Sequence, residues 1–346
     1  MRIKLLILSI SVLVLFQSCE TDFELNSSWK DIPIVYGILN PGSKSQNIRI
    51  QRAFLGDGNA MTFAQVVDSN YYDTAFIRAK IIEMNESTVV RTIKLKPVWV
   101  HRDSLEQTTF YNPSFPYALI YKTESYSYYE VDEITGDTIW LNPSHTFKIE
   151  ITNSRTGKII TSSTPLVGRV SLKLPNFNLS NPQLSINPTA YNVIKWTKTG
   201  SGARYESILR FYYKEYHPGM NDTTLNFVDM NFGYLSGPTS GSDFVVKYYG
   251  ENYYKLLGTK IPADHTVKRI AYRFNIFLNI IEEELKIYLD VNAPSTGIIQ
   301  ERPLYTNMSE GYGIFSSANS QKYIFKVGAT TNTNIVNTFK DIDNSF

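Results

Sequence analysis

The sequence predicts a mainly β protein made of two β-sandwich domains, and three observations carry that prediction. Short runs of alternating apolar and polar residues recur between Gly, Pro and Asn turns from Pro33 onward, as half-buried antiparallel strands require. No stretch alternates helix with strand in the manner of a parallel α/β sheet. The chain is also rich in residues that suit a pleated surface, with 24 Tyr and 19 Phe among 346 residues. At 42% hydrophobic it carries enough apolar material for two cores, which excludes wholesale disorder.

The first domain is predicted over residues 32–166, with strands at 34–39, 47–54, 75–84, 88–94, 117–123, 146–152 and 158–162. From Phe147 to Ile151 the apolar residues share one face, and Lys148 and Glu150 share the other. Asn40, Pro41 and Gly42 supply a turn after the first strand, and residues 153–157 supply a hairpin before the last. Seven short strands joined this way read as an immunoglobulin-like sandwich.

A stretch richer in Pro and Asn, 165–188, marks the junction. The second domain, 167–328, reads as a fibronectin type III-like sandwich with helical insertions. Its strands include 192–197 and 209–213, and Trp196 and Tyr205 are expected to pack its core. Residues 250–258 are predicted as a short helix stopped by Gly258, and 267–281 as one long strand. Residues 282–289 follow as a helix whose Glu282, Glu283 and Glu284 suit the positive end of its dipole. Residues 329–346 are expected to form a polar C-terminal tail.

Residues 1–18 have the architecture of a signal peptide that is removed. Arg2 and Lys4 precede an apolar run from Leu5 to Phe16, too short for a hydrocarbon core of roughly 30 Å. The run ends just before Cys19, the single cysteine of the chain, so no intramolecular disulfide forms. Ser18 and Cys19 resemble the lipobox of bacterial lipoproteins, with Phe16 and Gln17 where aliphatic and small residues are usual. The resemblance implies that Cys19 carries acyl chains and that 19–31 is a lipidated tether, making the membrane one partner. Each buried methylene of such chains contributes about 0.8 kcal/mol. Glu20, Asp22 and Glu24 follow. They read either as a solvated tether or, by resemblance, as a surface-export signal of Bacteroidota lipoproteins, which implies an outer-membrane location facing the cell exterior.

Without Arg2 and Lys4 the basic and acidic residues balance, which argues against nucleic acid as a partner. The search for chemistry is nearly empty. His101, His145, His217 and His265 are far apart, and neither a phosphate-cradling glycine loop nor a nucleophile elbow occurs. No cofactor, metal or catalytic residue is therefore expected, and the chain reads as a non-enzyme. Paired carboxylates converging in space are the one arrangement that sequence leaves open. Tyr126, Tyr128 and Tyr129, beside Glu130, Asp132 and Glu133, are candidates for partner binding. The insertion 97–116 is a second place for a partner. Thr74, Ser104, Thr138 and Thr223 each follow an aspartate in a pattern that resembles the O-glycosylation sequon of exported Bacteroidota proteins.

Two longer stretches carry a family resemblance. Residues 32–39 (IPIVYGIL) with 47–56 (NIRIQRAFLG), and 301–307 (ERPLYTN) with 311–316 (GYGIFS), bracket most of the chain. They resemble the opening and closing signatures of an uncharacterised lipoprotein family of Bacteroidota. The resemblance implies an accessory subunit beside an outer-membrane β-barrel partner, either a TonB-dependent transporter or a secretion or assembly machine, in company with other surface lipoproteins. Gly311 and Gly313 are expected to permit a positive-φ turn or a close backbone approach, with Phe315 packed behind. A glycan-binding or glycan-processing surface protein is the alternative, motivated by the tyrosine clusters.

Overall fold

The computed structural model describes residues 31–53, 66–102, 115–133, 135–219, 222–237, 241–294 and 303–346. Strands account for 49% of it and helices for 13%, so the mainly β expectation holds. Cys19, Ser104 and most of the 97–116 insertion lie outside the described residues.

The first lobe holds β1 (Pro33–Leu39), β2 (Asn47–Arg52), a short helix α1 (Val67–Asn70), β3 (Ile77–Asn85), β4 (Thr88–His101), β5 (Tyr117–Thr123), the small hairpin β6 (Glu130–Val131) and β7 (Thr138–Ile139), β8 (Thr146–Asn153) and β9 (Ile159–Pro165). The alternation seen in the sequence decides which face is buried. Phe147, Ile149 and Ile151 are fully buried, while Lys148 and Glu150 stay half-exposed. β4 runs on through Pro97 to His101, so the start of the expected insertion is strand.

The second lobe holds β10 (Leu172–Leu174), β11 (Gln183–Leu184), β12 (Tyr191–Thr197), β13 (Arg204–Tyr216), β14 (Thr224–Leu235), β15 (Asp243–Tyr249), helix α2 (Gly250–Lys260), β16 (Lys268–Ile281), helix α3 (Glu283–Val291), β17 (Tyr312–Val327) and helix α4 (Ala329–Lys340). Two sheets face each other here. β10, β12 and β15 form one, and β14, β13, β16 and β17 belong to the other. Between them Trp196 stacks on Phe244 with centroids 5.7 Å apart, and Tyr205 lies 4.0 Å from the same ring. The Tyr205 hydroxyl donates to the Thr199 carbonyl at 3.1 Å, so its polar tip is satisfied as its ring is buried.

The two lobes are not separate sheets. Strand order runs β14-β13-β16-β17-β1-β2-β5-β4-β3-β8-β9 without a break. β17 makes the join: residues from Tyr312 to Ser317 pair in parallel with β1, and residues from Ala318 to Lys326 pair antiparallel with β16. Phe315, near its start, is fully buried in the first core with Val35, Ile48 and Phe147, whereas Phe325, near its end, is buried in the second with Phe211 and Phe274. The expected boundaries are therefore corrected, because part of the 167–328 segment completes the first lobe.

The inter-lobe linker explains why β17 buries polar residues. Val167 N–H donates to Ser317 Oγ at 3.0 Å, Asn319 Nδ2 donates to the Gly168 carbonyl at 3.0 Å, and Val170 N–H donates to Gln321 Oε1 at 2.6 Å. Three buried side chains thus pair backbone groups that have no strand partner.

The expected polar tail is also corrected. Its Ile335 and Phe339 fall one turn apart on α4 and are fully buried in the second core. Beyond α4, Asp343 holds the buried Arg269 at 2.6 Å. Gly258 does not stop its helix, which continues to Lys260. Glu282 caps α3, its carboxylate accepting the Glu284 N–H at 2.9 Å.

Candidate binding site at the lobe junction

The β6–β7 hairpin folds over the meeting of the lobes and is held there by one arginine. Arg169, on the linker, pairs through Nε with Asp132 Oδ2 at 3.2 Å and through Nη2 with Asp137 Oδ2 at 3.0 Å. The same Nη2 donates to Thr135 Oγ1 at 3.0 Å. Beside it opens a cleft of about 350 Å³, bounded by Asn40 and Trp140 from the first lobe, Arg169 from the linker, and Phe277, Asn319 and Lys322 from the second.

Trp140 ties the cleft to the tyrosine cluster. Its ring meets Tyr126 and Tyr128 edge-on, at 5.9 and 6.1 Å between centroids, and Lys44 Nζ lies 5.6 Å over it. Its backbone N–H donates to the Pro41 carbonyl at 2.7 Å. Tyr126 is a brace: its hydroxyl accepts from Gln46 Nε2 at 3.2 Å and donates to the Ser43 carbonyl at 3.2 Å. Burial raises its pKa, with Gln46 and Arg91 opposing. Arg91 lies 5.2 Å over the Tyr126 ring, donates to the Ser127 and Trp140 carbonyls, and pairs with the buried Glu83, which also bonds His145 Nδ1 at 2.8 Å. Tyr128 and Tyr129 are the accessible members, 55% and 46% exposed. Of the three tyrosines picked from the sequence, two therefore offer surface and one fixes the frame.

The threonines fall in different places. Thr223 is exposed just ahead of β14, Thr74 is half-buried in the turn before β3, and Thr138 lines the cleft itself.

A second feature, which sequence reasoning missed, covers the outer face of the second lobe. Cross-strand neighbours on β13, β14 and β16 form an alternating layer of rings and cations. Arg210 is held in bidentate fashion by Asp229 at 2.6 and 2.7 Å and lies 3.9 Å over Phe227 and 5.1 Å over Phe277. Arg273 lies 4.8 Å over Tyr212 and 5.1 Å over Tyr272, and Lys214 lies 4.5 Å over Tyr272. Phe227, Tyr272, Leu225, Ile270 and Ile324 remain exposed. Beneath them Asn275 Oδ1 and Arg273 Nε are buried without a hydrogen-bond partner among the described residues. The strand at 209–213 was read from sequence and the one holding Phe227 and Asp229 was not, and only pairing across strands makes them a surface. Because Phe277 belongs to this layer and also lines the cleft, the two features are continuous.

Among the described residues no group of three His, Cys, Asp or Glu side chains is placed to hold a metal ion. Neither a family model nor a curated protein matches this chain.

Proposed function

We propose that the chain is a non-enzymatic accessory lipoprotein, held by acyl chains on Cys19 to the outer membrane and docked on a β-barrel partner. The partner is a TonB-dependent transporter or another barrel machine, and the two lobes serve as sandwich-type binding modules displayed outside the cell. The observation that carries this reading is the outer face of the second lobe. Tyr, Phe and Arg dominate it, as they dominate protein interfaces, and Phe227, Tyr272, Leu225, Ile270 and Ile324 stay exposed on it. A docked surface covers the exposed rings.

The test is affinity recovery from detergent-solubilised outer membranes with the native chain and with Phe227→Asp/Tyr272→Asp. The native chain is expected to retain one dominant barrel protein and the variant to lose it. Equal recovery by both, or recovery of the lipoprotein alone, overturns the reading.

The cleft supports a second reading, glycan binding. Trp140 and Phe277 offer rings beside Asn40, Asp137, Arg169 and Asn319, the mixture of flat apolar and planar polar groups that a sugar ring uses. Glycan-array binding abolished by Trp140→Ala supports it, and silence of the native chain removes it.

A further inference from the structure

The outer face of the second lobe carries a charge imbalance that the chain as a whole does not. Basic and acidic residues balance once Arg2 and Lys4 are set aside, so a local excess is a matter of placement. β16 and β17, 14 and 16 residues long, contain no Asp or Glu. Arg273, Lys322 and Lys326 stand on their outer face, and none has an ion-pair partner among the described residues. The carboxylates that β13 and β14 bring to this face are already engaged. Asp229 holds Arg210, and Glu206 accepts from Asn231 Nδ2 at 2.9 Å and from Asn279 Nδ2 at 2.8 Å.

Register sharpens the imbalance. In the antiparallel pairing of β16 with β17, Arg273 lies directly opposite Lys326 and Phe277 directly opposite Lys322. Like charges facing each other across a strand pair destabilise it, so the fold gains nothing from this arrangement. Stacking against Tyr212 and Tyr272 fixes where the Arg273 guanidinium stands but leaves its charge uncompensated. Arg273 and Lys326 line one cavity of about 490 Å³ with Pro182, Tyr272, Ile324 and Asn332, and no acid among the described residues borders it. A carboxylate seated there meets a guanidinium and an ammonium together, in charge-assisted bonds stronger than neutral ones.

We propose that the partner surface received by this face is acidic, with one of its Asp or Glu carboxylates seated between Arg273 and Lys326. The proposal rests on the docking reading above and names the chemistry of the partner. Apolar or aromatic groups around that carboxylate cover Tyr272 and Ile324, which stay exposed in the free chain. Lys322 carries the positive strip on to the junction cleft, which it lines. Such complementarity selects the partner and speeds its arrival more than it adds raw affinity.

The experiment uses the full chain, bound to its partner from detergent-solubilised outer membranes and treated with a carbodiimide, which joins a lysine amine to a carboxylate in contact with it. Peptide mass spectrometry should find Lys326 or Lys322 joined to an Asp or Glu of the barrel protein, and Lys340, exposed on α4, unjoined. Lys322→Gln/Lys326→Gln should lower recovery by roughly tenfold or more. Lys322→Arg/Lys326→Arg should keep recovery and lose the cross-link. Raising salt should weaken the native complex more than that of the glutamine variant. Both variants should melt as the native chain does, because the two lysines are exposed. A barrel protein retained equally by the glutamine variant, or joined as readily through Lys340, overturns the proposal and leaves the docking reading standing. Recovery of no barrel protein by the native chain overturns both. A lowered melt in the glutamine variant also overturns the proposal, by giving the lysines a role in the fold.

Discussion

Gly313 lies flat against Val35 across the parallel pairing of β17 and β1. Its φ is 114°, and a Cβ added there would overlap the Val35 carbonyl oxygen. Gly311 stands in the same relation to the carbonyl of Pro33. The two glycines therefore let the chain's late strand reach the first lobe, with Phe315 buried behind them.

Gly313→Ala is expected to destabilise the protein by about 2–4 kcal/mol, combining a disfavoured backbone region with a clash against main chain. Chemical denaturation measures it. A loss below about 0.5 kcal/mol would mean the strand can shift at little cost.

Phe339→Ala should cost about 3–5 kcal/mol, since it empties a fully buried ring site between α4 and the second core. Lys340→Ala, an exposed neighbour, should change the melting midpoint little. Equal, small effects at both positions would return residues 329–346 to the status of a tail.

Arg269 and Asp343 form a buried ion pair whose stability depends on pH in a fixed direction. Burial opposes ionisation of Asp343, but hydrogen bonds from Ser345, Asp264 and Arg269 outweigh it and hold its pKa below the usual carboxylate range. A depressed folded pKa contributes stability that is complete above the unfolded value near 4 and is lost as pH falls through the folded pKa. Asp343→Asn should therefore cost about 1.5–3 kcal/mol at neutral pH, because Arg269 loses one charge-assisted bond but keeps Glu215 at 2.9 Å, and should flatten the acid limb of the stability profile. An acid limb of native steepness in the variant would sink the assignment.

Arg169→Ala should release the β6–β7 hairpin without unfolding either core. Hydrogen exchange over 130–139 is expected to speed up by roughly tenfold, in line with about 1.5 kcal/mol for charge-assisted bonds. Unchanged exchange there would show that other contacts hold the hairpin.

Tyr126→Phe and Tyr128→Ala separate frame from surface. The first should cost about 1 kcal/mol, by removing the hydroxyl that bonds Gln46 and the Ser43 carbonyl. The second should leave stability within about 0.5 kcal/mol and weaken whatever binds beside Trp140. Thermal melts with matched binding assays read both, and the reverse pattern would exchange the two roles.

How much was legible follows from whether a signal is local. Most strands of the first lobe were, because Ile77, Ala79 and Ile81, or Phe147, Ile149 and Ile151, announce a buried face at every second residue, whereas β14, β15 and β17 of the second lobe were not read as strands. Trp196 and Tyr205 were read as core and are core. The single sheet was not legible, because the parallel register of Ile34 with Tyr312 joins residues from opposite ends of the chain. α4 escaped notice because its buried residues sit among Thr and Asn, which suggest solvent. The cleft draws on residues as distant as Asn40 and Lys322, and no spacing rule connects them.

The placement of β17 bears on the order in which the molecule can be completed. A chain delivered N-terminus first presents β1 early, yet the strand that must lie beside it comes last but for α4 and the final residues. Until then one flank of β1 exposes unpaired main chain, a hazard for slow, long-range β assembly. Synthesis that halts before residue 312 would leave both halves unsealed, and the early half must be kept from sticking while it waits.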